Sequence, residues 1–292
     1  MIEYQADWGR FGMEIIENKT MDEERALYNL TDAVVSHCVF AGPADGESAL
    51  KEARNVEVKD CLFSLRYPLW HTENYSLTDS KMDEFTRAAL WYAKNGEIRN
   101  SYLGGIKCLR ECTNTRLEKC NIVSPEFGWK CDGVEMKNCE TESEYVFLDS
   151  RNIKFIDSRL KGKYSFQYTE NVTVSDSYLD TKDAFWHSRN ATVRNSVLRG
   201  EYLAWYSENL TLINCKIIGT QPLCYCKGLK LIDCTMEETD LSFEYSDVNA
   251  SVSGNIVSVK NPKSGYIRAD SIGEIINDDA VIECDCEIVI NK

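Results

Sequence analysis

The sequence has no apolar run approaching the ~18 residues that span a bilayer. Its opening stretch, MIEYQADWGRFGMEIIENKT, carries Glu3, Asp7, Glu14 and Glu17. It lacks the basic start and apolar middle of a secretory leader, so a cytoplasmic protein with no membrane partner is expected. Basic residues are in deficit, 33 against 47 acidic, for a net charge of −14. Affinity for phosphate backbones comes mainly from clustered Lys and Arg, so no nucleic-acid partner is expected. The cysteines number 13, an odd count in a chain of 292 residues. Disulfide frameworks suit short secreted domains. Buried reduced thiols are the better reading here, and they fit a reducing compartment.

What the sequence does have is a repeat. An Asn-type anchor falls at Asp32, Asn55, Asn74, Asn95, Asn114, Gly133, Asn152, Asn171, Asn190, Asn209, Gly228 and Asp247. The spacings are 23, 19 and 21, and 19 thereafter. Asn, Asp and Gly tolerate a left-handed backbone, so the anchor marks one sharp turn per coil. An alternating segment follows it, as in NVTVSDSYL from Asn171 and NLTLINCKI from Asn209. Period-two alternation predicts a strand with one buried face. Six residues after the anchor only Cys or Ser occurs, from Cys38 to Ser253. Small identical groups stack tightly from coil to coil. Leucine-rich, helical and calcium-binding repeat patterns are absent. The sequence therefore predicts a single all-β domain, a single-stranded right-handed parallel β-helix of about twelve coils of ~19 residues. Residues 32–260 form the coils, and 1–31 and 261–292 form caps. The T-x-x-E of Thr20 to Glu23 predicts a short N-terminal helical cap. The extra residues around 41–47 and 83–86 predict a raised rim on one side of the groove at the N-terminal end.

The repeat resembles that of the pectin lyase-like superfamily, where an Asn ladder also marks one turn. The segments GESALKEARNVEVKDCLFSLRYPLWH and ERALYNLTDAVVSHCVF resemble the bacterial family called domain of unknown function 3737. That family carries no established activity, so the resemblance implies a fold and no catalytic residue. The best-known superfamily enzymes act on acidic polysaccharides, but the Gly-His-Gly and Arg-x-Lys of the polygalacturonase-like pattern are missing.

The segment before each anchor carries the candidate chemistry. The residue four before the anchor (−4) is Trp70, Trp91, Arg110, Trp129, Leu148, Gln167, Trp186 and Trp205 in successive coils. Lys51, Arg110 and Gln167 in this column make it groove-lining; strict strand alternation makes it core. The −3 residue is His71, Tyr92, Glu111, Lys130, Asp149, Tyr168, His187 and Tyr206. Aromatic rings, imidazoles and carboxylates in a row can hold a glycan, with rings against sugar C–H faces. Packing alone and a protein partner are the rival readings. Glu111 and Asp149 lie two coils apart, ~9.6 Å at the backbone, near the upper end of the ~6.5–9.5 Å spacing of inverting glycosidases. With Lys130 between them they are the candidate catalytic set, for glycan hydrolysis or elimination. The alternative is a surface salt-bridge ladder. Flanking carboxylates raise a Lys pKa and argue against Lys130 as an eliminating base. His71 and His187 stand six coils apart, ~29 Å, and form no pair. Cys108, Cys112 and Cys131 lack the four well-placed ligands of a usual zinc site, so no metal or cofactor is expected. The resulting expectation is an oligosaccharide-binding or oligosaccharide-processing β-helix, with a non-catalytic scaffold that binds a protein or itself as the alternative.

Overall fold

The computed structural model describes residues 12–42 and 47–291. The acidic stretch before residue 12 and most of the 41–47 insertion lie outside them. The alternating segments are strands as expected: Glu170–Ser175 buries Val172 and Val174 and exposes the residues between. Each strand pairs in parallel with its counterpart one coil away. Arg151 faces Glu170, Val172 faces Ala191, and Val193 faces Leu212. The result is a β-solenoid of about 14 turns.

The anchor ladder runs up one edge. Asn74 Nδ2 donates to Asn55 Oδ1 at 3.1 Å, Asn171 to Asn152 at 3.2 Å and Asn190 to Asn171 at 3.4 Å. Where Gly133 occupies the anchor, the preceding Asp132 accepts from Asn152 at 2.6 Å instead. From Cys38 to Cys234 the Cys/Ser column at +6 is buried and hydrogen-bonded between coils; Ser253, also counted into it, is exposed, and Val252 pairs with Cys234 in its place. Cys139 N donates to Ser158 Oγ at 2.9 Å and Ser158 N to Ser177 Oγ at 3.1 Å. All 13 cysteines are free and 11 of them are buried.

Both ends depart from expectation. Among the described residues no helix caps the N-terminal end. Thr20–Met21 is a strand paired with Val39 and Phe40, and Glu14–Glu17 pairs with residues 33–36. The supposed helix is the turn segment of one more coil, in which Arg25, Leu27 and Asn29 are left-handed. The helix-forming residues of MDEERALYNL lose to the coil geometry imposed by the next turn. At the other end Ser264–Ile276 and Glu287–Ile290 continue the parallel stack through the segment expected to be a cap.

That turn segment is the unusual part of the fold. In one coil Tyr164, Phe166, Tyr168, Asn171 and Asp176 all have φ between 53° and 60°. Left-handed backbone costs an L-residue about 1–2 kcal/mol. Here each such amide finds a neighbouring coil: Tyr164 N reaches Lys182 O at 2.8 Å, Phe166 N reaches Val146 O at 2.8 Å, and Tyr168 N reaches Trp186 O at 2.8 Å. The alternation of hand removes the strand pleat. Residues at −6 and −5, such as Ser165 and Phe166, both point inward. The −5 rings stack in the core, Phe166 on Phe185 at 5.0 Å. The −3 side chains are thereby turned outward, and the −4 side chains lie between.

Candidate binding face

The −4 column is neither core nor open groove. Trp70, Trp91, Trp129, Trp186 and Trp205 are all half-buried. Each indole N–H donates to the backbone carbonyl at −7 in the next coil: Trp91 to Lys107 O at 2.7 Å, Trp129 to Tyr145 O at 2.7 Å, Trp186 to Tyr202 O at 2.7 Å, and Trp205 to Gln221 O at 2.8 Å. Trp70 serves Ala88 O in the same way, at 2.5 Å. Gln167 does so through its amide, reaching Asp183 O at 3.1 Å. The side chain thus completes the hydrogen bonding of the left-handed segment. Indole rings in successive coils also stack, Trp70 on Trp91 at 5.2 Å and Trp186 on Trp205 at 5.4 Å. Arg110 breaks the pattern. Its guanidinium lies between the rings of Trp91, 4.9 Å away, and Trp129, 5.5 Å away.

The −3 column is the exposed one. His71 stacks on Tyr92 at 4.8 Å. Further along, Tyr168, His187, Tyr206 and Tyr225 form a continuous stack at 5.0, 5.0 and 4.7 Å. Tyr168 is 55% exposed and Tyr206 43%. Tyr245 continues the stack, tilted, at 5.9 Å from Tyr225. Counting from Asp247 places Glu244 in this column, which is incorrect. Asp247 N bonds Cys226 O as Lys227 N bonds Ser207 O, so Asp247 occupies the −1 place and the anchor is missing from that coil. Glu244 belongs one place earlier. There it accepts from Tyr225 Oη at 3.3 Å and pairs with Lys260 at 2.8 Å. Burial, followed by the Glu244 charge, pushes the Tyr225 phenol up to about 12.

Between the two ring stacks stand Glu111, Lys130 and Asp149, all exposed. They occupy successive coils, as expected from the spacing. Glu111 N bonds Trp129 O, and Lys130 N bonds Leu148 O, both at 2.9 Å. The expected salt-bridge ladder does not form. Among the described residues no ion pair joins Lys130 to either carboxylate, and Glu111 instead leans toward Arg110, 3.7 Å from its Nε. At the N-terminal side a depression of about 210 Å³ opens between Glu52, Arg54, His71, Glu73, Tyr92 and Lys94. Cys108, Cys112 and Cys131 are buried, and no group of three or more His, Cys, Asp or Glu among the described residues is arranged to hold a metal ion.

The anchor count also missed a second turn ladder at +5. His37, Asp60, Asp79, Asn100, Lys119, Asn138, Asp157, Asp176, Asn195 and Asn214 are all left-handed there. Asn195 donates to Asp176 at 3.1 Å and Asn214 to Asn195 at 3.0 Å. The signal was the Asn and Asp content of this column, interrupted by His37 and Lys119.

The family model described as "Protein of unknown function (DUF3737)" matches residues 14–289. The chain belongs to this family. No curated protein matches it. Among solved structures, this family member is similar to the surface adhesin PfbA of Streptococcus pneumoniae, at 12% identity and TM-score 0.38, over 78% of this chain and 71% of that one. It is similar to the mannuronan C-5 epimerase AlgE4 A-module of Azotobacter vinelandii, at 8% and 0.38, over 83% and 92%. A PL6 alginate lyase solved with a trisaccharide gives 9% and 0.38, over 90% and 78%. No helix among the described residues is long and apolar enough to cross a membrane.

Proposed function

We propose that this face binds an extended oligosaccharide, and that it acts as a binding surface rather than as a hydrolase or lyase. The observation that carries the reading is the interrupted −3 ring ladder. Rings inside a stack present only their edges, because their faces are covered. Tyr92 and Tyr168 each stack on one side only. Their uncovered faces look toward each other across the coils of Glu111, Lys130 and Asp149. Four coils separate them, about 19 Å. The interval is long enough for a short oligosaccharide whose end sugars turn their faces to the two rings. Ring faces would hold its C–H surfaces, and the charged groups would hold its hydroxyls. The net charge of −14 disfavours a nucleic acid on the same face. The exposed carboxylates of Glu111 and Asp149 stand on an open surface, where none of the described residues excludes water from a reacting centre.

A glycan array with the whole chain, repeated with Tyr168→Ala, tests this. At least one glycan class binds, and losing one sugar–ring stack weakens it by roughly three- to tenfold. Failure to bind any glycan returns the face to the scaffold reading. New reducing ends released from a bound glycan, and lost in Glu111→Gln, would overturn the non-catalytic part.

A further inference from the structure

Arg110 stands where other coils place a donor for their neighbour's backbone, but its donors are not used there. It makes no hydrogen bond to Glu126 O, the carbonyl that its column serves elsewhere. Its Nε is buried and has no hydrogen-bond partner. Its nearest anion, Glu111 Oε1, is 3.7 Å from that Nε, beyond hydrogen-bond range. Among the described residues, none takes a hydrogen bond from its terminal nitrogens. The guanidinium is nevertheless held between the indoles of Trp91 and Trp129. It retains 25% side-chain exposure. One coil on, beside Trp129, Lys130 is exposed, and among the described residues it has no ion pair.

A planar, immobilised fork with unspent donors is built to take two oxygens of one oxyanion, and the ordering entropy of a free Arg is already lost. We propose that Arg110, with Lys130, forms an oxyanion clamp within the interval between Tyr92 and Tyr168. Its ligand is a sugar that bears a carboxylate or a phosphate. The proposal rests on the sugar-binding reading above and names the chemistry of one subsite. Glu111 and Asp149 flank the clamp. They oppose an anion at long range and favour one whose hydroxyls can donate to them. A simple inorganic ion would meet only their repulsion.

The Nε–Hε resonance of Arg110, assigned by its loss in Arg110→Lys, reports the clamp directly. Glucuronate, glucose 6-phosphate and glucose are each titrated into the whole protein. Either charged sugar should move the resonance saturably, and glucose should leave it in place. A response to glucuronate alone identifies the carboxylate as the source, and a response to glucose 6-phosphate alone identifies the phosphate. Arg110→Lys keeps the charge between the rings but loses the fork, and should weaken the charged sugar about tenfold. Lys130→Gln, at an exposed position, checks the clamp without risk to folding and should weaken it severalfold. Glu111→Gln should strengthen it. The clamp is overturned if neither anion moves the signal, or if glucose moves it equally. Glycan binding that ignores both Arg110→Lys and Lys130→Gln would sink the clamp and leave the sugar reading standing. Inorganic phosphate binding as tightly as glucose 6-phosphate would overturn the clamp as a sugar site, because the sugar hydroxyls would then add nothing beside Glu111 and Asp149.

Discussion

Replacing Trp186 separates the two roles that its column offers. Its indole N–H reaches Tyr202 O at 2.7 Å, and its ring stacks on Trp205 at 5.4 Å. The fold itself supplies the two informative substitutes, since Gln167 and Leu148 occupy the same column. Trp186→Gln and Trp186→Leu both lose the stack and most of the apolar area. They differ in the donor. Gln167 shows that an amide reaches the −7 carbonyl, at 3.1 Å. Leu leaves Tyr202 O without a partner. A buried orphan acceptor costs about 1–3 kcal/mol. The column is half-buried, so the lower part of that range applies, about 1–2 kcal/mol. With an unfolding entropy of about 2.1 cal/mol/K per residue, that gap separates the two melting temperatures by about 2–3 °C. Thermal and urea melts followed by far-ultraviolet circular dichroism would measure it, with the Leu variant melting first. If the Gln and Leu variants melt together, the tryptophans are held for their area, and the backbone-donor account of the column is wrong.

Two further outcomes follow from the same geometry. A thiol reagent should count 13 free thiols in denaturant, with only Cys284 and Cys286 reacting quickly in the folded chain, because the other 11 are buried. Burial pushes the Cys108 thiol up to about 12, which slows it further, and pushes Cys286 up to about 11, which makes it the slower of the two accessible thiols. A lower denatured count would mean disulfides, and a third fast thiol would mean a looser stack. At Asp132 the hydrogen bond from Asn152, followed by the bond from Arg151, outweighs burial and lowers the carboxyl pKa. A depressed folded pKa adds stability above the unfolded value of about 4, and that stability is lost as pH falls through the folded value. The stability gap between wild type and Asp132→Asn should therefore close on acidification; a gap that does not vary with pH would refute the coupling.

The parts of this structure that could be read from the sequence are those where backbone and side chain demand the same residue. The anchor ladder needs a left-handed residue whose side chain also bonds up and down the stack, and Asn meets both needs. It therefore recurs visibly from Asn55 to Asn209. The +6 column needs a small buried donor, so as far as Cys234 it shows only Cys and Ser. The −7, −5 and −3 positions are equally left-handed, yet they hold Tyr, Phe, Leu, His and Lys, which do not prefer that conformation. There the neighbouring coil decides the backbone, and the side chain is chosen for where it points. Nothing in Glu24 to Asn29 announces this, and the sequence of the segment reads as a helix for that reason. The same cause hid the division between −4 and −3. Strict alternation would bury one column and expose the other. A left-handed residue at every second place instead sets −4 half in, bonded to backbone, and turns −3 fully out. Arg110 is the point where the two columns meet functionally: a structural position that holds a group whose bonding the structure leaves unused. Where six coils fill one place with a donor to their own backbone, a cation held in that place with its donors free is explained by something outside the coil rather than by the coil itself.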